Sequence, residues 1–309
     1  MTRVFIDGSA GTTGLRIRER LSLRKDIELL SIPEELRKDE NARREYINSA
    51  DVVFLCLPDA AAVEAVSLCC NPHTCIIDTS TAHRVKEGWE YGFPELTGRR
   101  GRIRGSKRIA NPGCHASGFI ALAAPLVERG IIAPDTFLTC VSLTGYSGGG
   151  KKMIAGYEDA ERDSLLDAPR LYGLSQEHKH LPEMAAVTGL SVKPAFMPVV
   201  APFYSGMEVT VPLSAEMLKG SAEDVKEVYA DYYREGLVRF APEAGSGEGG
   251  FLSAAAFSGR DTMEITVAGN RERLLLVSRF DNLGKGASGA AIQNMNIVLG
   301  LAEDTGLCN

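Results

Sequence analysis

The chain has 309 residues, of which 44% are hydrophobic and 24% charged, an ordinary composition for a globular protein of about two domains. Its formal net charge of −6 gives no electrostatic reason to expect nucleic acid or an anionic membrane as a partner. The basic residues between positions 99 and 108 are therefore expected in a solvated loop. No apolar run reaches transmembrane length, and the first residues lack the pattern of a signal peptide, so we predict a cytoplasmic protein.

The cysteines point to reduced thiols. There are seven, an odd number, which in a chain without a secretion signal argues against a disulfide framework. Cys69, Cys70 and Cys75 lie close together in the sequence, but their spacing matches no standard zinc site. We therefore predict no metal.

The N-terminal part alternates strand and helix patterns. Short apolar runs at residues 4–7, 27–32, 51–57 and 75–78 predict buried strands. A helical pattern follows the first of these strands, and an alanine-rich helix is predicted at residues 60–70. Strands separated by helices and short loops indicate parallel βαβ units and a doubly wound sheet.

A glycine-rich turn directly follows the first predicted strand and opens the first helix. Gly8, Gly11 and Gly14 have the spacing G-x-x-G-x-x-G, and Thr12 and Thr13 stand between the last two glycines. Glycines at this point permit a tight turn and let backbone N–H groups approach a pyrophosphate at a helix N-terminus. These five residues are predicted to bind a dinucleotide, and a purely structural glycine turn is the alternative.

The residues after the second predicted strand bear on which dinucleotide is bound. Arg37 and Lys38 could neutralise a ribose 2′-phosphate, which favours NADP. Glu34 and Glu35 precede them, and an acidic residue near this strand is typical of sites that bind the 2′-hydroxyl of NAD. A solvated helix start explains the same charges, so these residues leave NADP and NAD open.

Cys114 stands where a short apolar strand ends at a Pro-Gly turn and a helical pattern begins. Pro125 lies inside that pattern and predicts a kink or an early stop. Unpaired N–H groups and the positive end of the helix dipole at such a position favour the thiolate, the reactive form of cysteine. Cys114 is therefore a candidate nucleophile, whereas Cys56 and Cys140 lie inside apolar strands and are expected to be buried.

From about residue 135 onward, strands follow one another with fewer helices between them. This pattern predicts an α+β domain on a mixed or antiparallel sheet, with one helix at residues 222–233. Residues 286–301 again have a helical pattern, and the glycine-rich residues 245–250 are predicted to form a mobile loop. The predicted strands of this part are residues 136–143, 195–200, 207–211, 263–267 and 273–280.

Three further motifs carry groups suited to catalysis or anion binding. His178 and His180 lie in one three-residue span, and a cysteine that attacks an acyl group needs such a proton donor and acceptor near neutral pH. Residues 144–152 contain a serine and two lysines that could bind a phosphate or carboxylate. Residues 281–291 form a glycine-rich turn into a helix whose N-terminus could face the cofactor. The alternative for the histidine pair is an exposed turn, and for residues 144–152 it is a flexible surface loop. For residues 281–291 it is a plain surface turn.

Taken together, these motifs resemble one family, the shorter form of N-acetyl-gamma-glutamyl-phosphate reductase. One departure is visible, because the family usually continues after its cysteine with Tyr-Pro-Thr, and this chain has His115, Ala116 and Ser117. The matching residues are, in chain order, Gly8, Gly11 and Gly14, residues 78–84, residues 91–96, Asn111 to Cys114, residues 145–152, His178 to His180 and residues 281–287.

The resemblance implies an NADPH-dependent reductase of arginine biosynthesis. Its substrate would be an acyl phosphate, N-acetyl-L-glutamyl 5-phosphate, and its products N-acetyl-L-glutamate 5-semialdehyde and phosphate. The implied fold is a Rossmann-type nucleotide-binding domain, residues 1–113 with 282–309, and an α+β catalytic and dimerisation domain, residues 114–281. That fold is shared with aspartate-semialdehyde and glyceraldehyde-3-phosphate dehydrogenases, and a homodimer or homotetramer is implied with it.

The resemblance also implies roles for individual residues. Cys114 would accept the acyl group as a thioester, and His180 would shuttle protons, with His178 as its local rival. The other implied site residues are Arg84, Ser147, Lys151 and Lys152 for the substrate, and Lys285 and Gly286 for the cofactor.

Two other functions stay open on the sequence. An aspartate-semialdehyde dehydrogenase would perform the same chemistry on a shorter acyl phosphate, aspartyl phosphate. A non-catalytic, NADP-binding redox sensor would use Cys114 as an oxidisable thiol, although it would leave the paired histidines and lysines unexplained. Phosphate-dependent oxidation of the two aldehydes separates the enzymes, and the sensor would oxidise neither.

Overall fold

The structure is a computed structural model, and it describes residues 1–243, 245 and 249–309. Of the glycine-rich loop predicted at residues 245–250, residues 246–248 lie outside the described part. The chain forms two compact units: residues 1–112 with 287–307 make unit 1, and residues 113–286 with 308–309 make unit 2. Among the described residues, no helix is both long and apolar enough to cross a membrane.

The regular elements follow most of the predicted pattern, with ends that differ by a few residues. The helices are α1 (Thr12–Leu21), α2 (Glu40–Ser49), α3 (Asp59–Leu68), α4 (Arg99–Gly105), α5 (Cys114–Glu128), α6 (Gly150–Glu158), α7 (Leu181–Thr188), α8 (Ala222–Tyr232) and α9 (Gly289–Val298). The strands are β1 (Thr2–Asp7), β2 (Ile27–Leu30), β3 (Val52–Leu55), β4 (Cys75–Asp78), β5 (Glu90–Tyr91), β6 (Arg108–Ala110), β7 (Thr139–Gly145), β8 (Arg170–Leu171), β9 (Ala195–Ala201), β10 (Met207–Ser214), β11 (Val238–Phe240), β12 (Met263–Gly269) and β13 (Arg273–Phe280).

Unit 1 is built on a parallel sheet with the strand order β2-β1-β3-β4-β6-β5. Successive side chains of β1 point to opposite faces, as the period of a strand requires. Val4 belongs to a core that includes residues of α1 and α9, whereas Phe5 belongs to a second core with residues of α2 and α3. Helices thus cover both faces, which confirms the predicted doubly wound, Rossmann-type arrangement.

One segment of unit 1 differs from the prediction. The basic segment at residues 99–108 was expected to be a solvated loop, but its first seven residues form the helix α4. Ile103 in its middle is fully buried, and α4 packs against α9. Arg99 pairs with Glu90 at 3.3 Å, and Arg100 pairs with Glu303. The loop prediction was wrong because the burial of Ile103 fixes the segment as a helix. The expected exposure to solvent holds for Arg102, Arg104 and Lys107.

Unit 2 is built on a seven-stranded sheet with the order β11-β12-β13-β10-β7-β9-β8. The pairs β7/β9 and β11/β12 are parallel and the others are antiparallel, which confirms a mixed sheet. The long helix α5 packs so closely on β10 and β13 that a Cβ at Gly118 would lie 2.4 Å from Val209 Cγ2 and 2.8 Å from Ser278 Oγ. This close contact fixes the start of α5.

Helix α5 continues past Pro125 to Glu128, so the predicted early stop is wrong. A proline has no N–H, and its position in a helix leaves the carbonyl four residues earlier without its usual donor. Here that carbonyl, on Ala121, accepts a hydrogen bond of 2.7 Å from the hydroxyl of Tyr233. A tyrosine side chain therefore replaces the hydrogen bond that the proline removes.

Candidate active site

Cys114 is the first residue of α5 and is half-buried. Gly113 before it has extended backbone angles, φ −78° and ψ 145°, and as a glycine it has no side chain of its own to cap the helix. The first turn of α5 contains no acidic residue. The thiol therefore lies at the positive end of a fifteen-residue helix, where a thiolate is favoured.

Gly286 lies directly against Cys114. A Cβ atom at Gly286 would be 3.0 Å from Cys114 Cβ and 3.1 Å from the carbonyl oxygen of Asp281. The sequence associated Gly286 with the cofactor. The structure places its backbone beside the candidate nucleophile within unit 2, where any larger residue would press on the cysteine.

The turn that carries Gly286 is held by buried polar groups. Asp281 is completely buried, and its Oδ1 accepts a hydrogen bond of 2.7 Å from the N–H of Leu283. Its carbonyl accepts from the N–H of Gly286 at 3.0 Å. Asn282 accepts from the N–H of Gly206 at 2.9 Å and donates to Ser147 Oγ at 3.0 Å. The polar residues of this motif thus fix the backbone that touches Cys114.

Both candidate histidines lie near the start of α5. His180 precedes α7, which packs against α5, and its side chain is buried. The ring of His115, the neighbour of Cys114, lies 5.6 Å from the ring of His180 and 5.7 Å from that of His178. The two rings of the pair are 4.7 Å apart and nearly perpendicular. The structure therefore brings both histidines together with the nucleophile's helix and leaves the choice between them a prediction.

Glu183 is a site residue that the sequence analysis did not single out. It belongs to α7, is 1% exposed, and its Oε2 accepts a hydrogen bond of 3.2 Å from the N–H of Gly113. A carboxylate at a helix N-terminus is favourable, and this one also fixes the backbone directly before Cys114. Its only signal in the sequence is its position three residues after His180, which places the two at one end of a helix.

A second group that the sequence did not reveal surrounds His115. The imidazole is 3% exposed, with Nδ1 at 2.7 Å from Ser142 Oγ and Nε2 at 2.7 Å from the hydroxyl oxygen of Tyr172. Burial, with a smaller contribution from His178, lowers the pKa of His115 to about 3, so the ring is neutral at pH 7. The residue directly after the candidate nucleophile is thus a hydrogen-bonded, buried imidazole.

The glycine-rich turn of unit 1 has the geometry of a phosphate cradle. Gly8 has φ +87°, and a Cβ there would lie 2.3 Å from the carbonyl oxygen of Cys56. A Cβ at Gly14 would lie 2.6 Å from the carbonyl oxygen of Gly8. Gly11 precedes α1, whose N-terminus has no side-chain cap, and within residues 1–243, 245 and 249–309 the buried Oγ1 of Thr12 has no hydrogen-bond partner. Thr13 follows in the first turn of α1. Because the glycines let backbone N–H groups at this helix N-terminus approach an anion, the turn fits a dinucleotide's pyrophosphate.

The proposed anion contacts lie in different surroundings. Lys151 and Lys152 are exposed in the first turn of α6. Arg84, in unit 1, donates to the carbonyl oxygens of Asn111 at 3.0 Å and Thr79 at 3.1 Å. Ser147 and Lys285 are each 1% exposed, so both are enclosed by protein.

Three other cysteines differ from Cys114 in their surroundings. Burial raises the pKa of Cys56 and of Cys75 to about 12, which keeps both as thiols. Cys140 lies in β7 and is fully buried, as expected, whereas Cys56 lies just after β3 and is only half-buried as a residue, because the strand ends one position before it. Within the part of the chain that the structure describes, no three His, Cys, Asp or Glu side chains are grouped so that they could hold a metal ion.

Comparison with protein families agrees with the two units. Residues 4–103 match the NAD binding domain of semialdehyde dehydrogenases, and residues 114–282 match the semialdehyde dehydrogenase dimerisation domain. Among solved structures, aspartate semialdehyde dehydrogenase from Francisella tularensis has a TM-score of 0.72 at 14% identity, covering 97% of this chain and all of its own. The enzyme from Candida albicans with NADP has a TM-score of 0.65 at 16% identity, covering 96% and 99%. These identities show a common fold only.

Curated relatives are much closer in sequence. The chain is 45% identical, over an alignment of 318 positions, to N-acetyl-gamma-glutamyl-phosphate reductase 2 of Nostoc sp., and the alignment covers 99% of both chains. It is 47% identical over 305 residues to N-acetyl-gamma-glutamyl-phosphate reductase of Chelativorans sp., covering 96% of this chain and 98% of that protein. Such identity over nearly the whole length separates this group from the distant aspartate enzymes. The chain belongs to the N-acetyl-gamma-glutamyl-phosphate reductase family, within the semialdehyde dehydrogenases.

Proposed function

We propose that this protein reduces N-acetyl-L-glutamyl 5-phosphate to N-acetyl-L-glutamate 5-semialdehyde with NADPH, as a cytoplasmic enzyme of arginine biosynthesis. The observation that carries the proposal is Cys114 at the start of α5, where the ring of its neighbour His115 lies within 5.7 Å of the rings of His178 and His180. The near full-length relatives bear the reductase name, which supports the substrate.

The covalent chemistry is proposed to centre on Cys114. Its thiolate attacks the carbonyl carbon of the acyl phosphate, and the bond from that carbon to the phosphate oxygen breaks. Phosphate departs, and the acyl group is now bound to the sulfur as a thioester. NADPH, when bound, supplies the hydride that reduces the thioester carbon. The carbon–sulfur bond then breaks, which releases the aldehyde and regenerates the thiolate. N–H groups at the start of α5 stabilise the negative oxygen of each tetrahedral stage.

The proton that the net reaction consumes is proposed to come from His180. Its buried ring lies 5.6 Å from the ring of His115, next to the nucleophile in the chain. An imidazole has two ring nitrogens and can both give and accept a proton. His178 is the alternative donor, because its ring is equally close to His115.

NADP is the dinucleotide that the end of β2 favours. A cavity of about 100 Å³ lies there, lined among others by Ser9, Arg18 and Ser31. An NAD site would place an acidic residue at this strand end, where this chain has a serine. We propose that Arg18 and Ser31 hold the 2′-phosphate. Arg37, which the sequence suggested for this task, is instead paired with Glu34.

The substrate's anionic groups are proposed to meet Lys151 and Lys152. Both side chains are exposed in the first turn of α6, where the helix dipole also favours an anion. Arg84 and Ser147 stay weaker predictions for substrate contact. Their polar groups already bond to the backbone carbonyl of Asn111 and to the amide of Asn282, respectively.

A homodimer or homotetramer is proposed to form through the face of the unit 2 sheet opposite α5. By the pleat, Val141, Leu143, Met197 and Val199 share that face, and all four are half-buried. An apolar sheet face is suited to burial by a second copy, and the match to a dimerisation domain supports this. Light scattering coupled to size-exclusion chromatography measures the mass, and a monomer at micromolar concentration would contradict the assignment.

Cys114→Ser tests the proposed function most directly. Phosphate- and NADP-dependent oxidation of N-acetyl-L-glutamate 5-semialdehyde should fall by about 10³-fold or more, while NADPH binding stays within about twofold. His180→Asn and His178→Asn are compared in the same assay, and the proton carrier should lose about 10²-fold or more in kcat. Turnover of L-aspartate semialdehyde in preference to the N-acetylated substrate, or wild-type turnover by Cys114→Ser, would overturn the proposal.

A further inference from the structure

A buried ion pair lies at the end of β1, directly before the glycine turn. Asp7 is the last residue of β1 and is 6% exposed, and Arg43 of α2 is 7% exposed. Nε and Nη2 of Arg43 both donate to Asp7 Oδ2, at 3.1 and 3.0 Å. The remaining nitrogen, Nη1, donates to Glu64 Oε1 of α3 at 2.7 Å. One arginine therefore joins β1 to two helices, α2 and α3, that cover one face of the sheet.

The main chain at this point is held as closely as the side chain. The carbonyl of Asp7 accepts a hydrogen bond of 2.8 Å from the N–H of Cys56, just after β3. Gly8 follows with φ +87°, and its carbonyl accepts from the N–H of Gly11 at 3.0 Å, which closes the turn. The position of Asp7 therefore sets where the turn begins and where its N–H groups lie.

The ion pair is costly to bury, and packing alone does not account for it. Burial raises the pKa of Asp7, although Arg43 acts to lower it. A buried ion pair often stabilises a fold no more than apolar residues of the same volume would, whereas the loss of one partner leaves a charge without compensation. Ile47, one turn later in α2, is apolar and packs in the core on this face. The charge of Arg43 is therefore the feature that needs a role.

The glycine turn beside the pair supplies that role. Asp7 and Gly8 are consecutive, with Cα atoms about 3.8 Å apart, so the Asp7 carboxylate acts on the turn at less than the roughly 10 Å screening length of 0.1 M salt. The N–H groups of the turn and the dipole of α1 favour an anion, and an uncompensated carboxylate there would oppose them. Glu64 adds a second negative charge from α3. Arg43 lies between these two carboxylates and neutralises much of their charge.

We propose that Arg43 is a positioning residue for the dinucleotide: it holds and neutralises the Asp7 carboxylate, so that the turn after β1 accepts a diphosphate. All three guanidinium nitrogens already donate to carboxylates, so Arg43 acts through Asp7 and not by touching the ligand. The inference rests on the dinucleotide binding that is part of the proposed function, which the match to an NAD binding domain supports. It does not depend on the chemistry of Cys114.

The test is a set of charge variants at positions 7 and 43, with the Kd for NADPH measured by fluorescence titration. Arg43→Met removes the cation and keeps a long side chain, and should raise the Kd by about tenfold or more at 0.1 M salt. Asp7→Asn should stay within about threefold of wild type. The double variant, Asp7→Asn with Arg43→Met, removes both charges and should recover most of the affinity, so the two changes are non-additive.

Salt and a conservative substitution separate charge from geometry. At 0.5 M salt the loss in Arg43→Met should shrink to about threefold, because the effect of the carboxylate on the turn is screened. Arg43→Lys keeps the charge without the two-nitrogen contact to Asp7, and should also stay within about threefold of wild type. A purely structural tie between α2 and β1 predicts the opposite, with Arg43→Lys and the double variant binding as weakly as Arg43→Met at either salt concentration.

A matched control lies in the same unit, at the opposite end of the sheet. The Arg24 side chain is also buried, pairs with Asp26 just before β2, and donates to Asn296 Oδ1 at 2.7 Å. Arg24→Met should leave the Kd for NADPH unchanged. Urea unfolding checks the stability of each variant. Alkylation of Cys114 by iodoacetamide, with the modified peptide quantified by mass spectrometry, reports on unit 2 and should keep its wild-type rate in all of them.

Two results would overturn the proposal. One is a wild-type Kd in folded Arg43→Met at 0.1 M salt, and the other is a double variant that binds as weakly as Arg43→Met. If Arg43→Met does not fold, the double variant and Arg43→Lys carry the comparison with wild type, and weak binding by both contradicts the role of charge.

The measurement also distinguishes this inference from the proposed reaction. Binding is read without turnover, so a negative result at Arg43 leaves the proposed reductase activity intact. Each variant is titrated with NADH as well as NADPH. A wild type that prefers NADH would correct the proposed cofactor and would still give the comparison among the charge variants.

Discussion

The N-termini of α1 and α5 are nearly the same structure put to two uses. Each helix is preceded by a glycine with extended backbone, Gly11 with φ −74° and ψ 164° and Gly113 with φ −78° and ψ 145°. Neither glycine has a side chain that could cap its helix and neither first turn contains an acidic residue, although at α5 the carboxylate of Glu183 accepts a hydrogen bond from the N–H of Gly113. Both therefore offer backbone N–H groups and a positive dipole to an anion.

The surroundings of the two ends differ. In α1 the buried residues are Gly14, Ile17 and Leu21, and Gly11 is exposed, so an anion from outside can reach the turn. In α5 the side chains are buried from His115 to Leu126, and the first residue carries its own sulfur. In the proposed function, burial therefore decides whether a helix N-terminus receives a ligand's phosphate or activates a residue of the chain.

Gly14→Ala should distort the glycine turn at the N-terminus of α1 and leave the N-terminus of α5 unchanged. Its Cβ would lie 2.6 Å from the Gly8 carbonyl oxygen and 2.9 Å from Ser9 Cα, so the turn must open. The Kd for NADPH, measured by fluorescence titration, should rise by about 100-fold. Alkylation of Cys114 should keep its wild-type rate. Gly101→Ala in α4, where a Cβ meets nothing within 4 Å, is the matched control, and an unchanged Kd in Gly14→Ala would refute the cradle.

The deep burial of α5 predicts a pH dependence of stability. His115 takes up a proton at pH 6.5 when unfolded but only near pH 3 when folded, so the unfolded state binds more protons between these values. The contribution of His115 to the free energy of unfolding is therefore lost progressively as the pH falls below 6.5. Between pH 7.5 and 5.0 the wild type should lose about 2 kcal/mol more than His115→Leu in the free energy of unfolding. Urea unfolding of the whole protein, wild type and variant, at both pH values measures the difference. Equal losses in the two proteins would contradict the expectation.

Gly286→Ala should disturb the α5 end by a smaller amount. The contacts of its Cβ, 3.0 Å to Cys114 and 3.1 Å to the Asp281 carbonyl, are tight but allow a small shift. We expect kcat to fall by about tenfold with little change in the Kd for NADPH. Gly156→Ala in α6, where a Cβ meets nothing within 4 Å, is the control. A change confined to the Kd would instead support the cofactor role that the sequence suggested.

Several features of the site could be predicted because they depend on neighbouring residues. A glycine turn after a strand, a helix that begins at Cys114 and a pair of histidines all show in short stretches of sequence. The helix α4 was missed because arginines dominate its composition and its stability depends on one buried residue, Ile103. Helix α7 was missed for a similar reason, since its eight residues give a short pattern.

By itself, the sequence determined the alternation of strands and helices at the start of unit 1, the glycine turn after β1 and the position of Cys114 at a helix start, since local sterics and periodicity govern all three. Only the tertiary structure decided what surrounds Cys114. His115 meets Tyr172 57 positions later in the chain, Gly113 meets Glu183 after 70 positions, and Ser147 meets Asn282 after 135. Such partners are brought together by strand pairing and helix packing, which depend on the whole core of unit 2 and leave no local pattern.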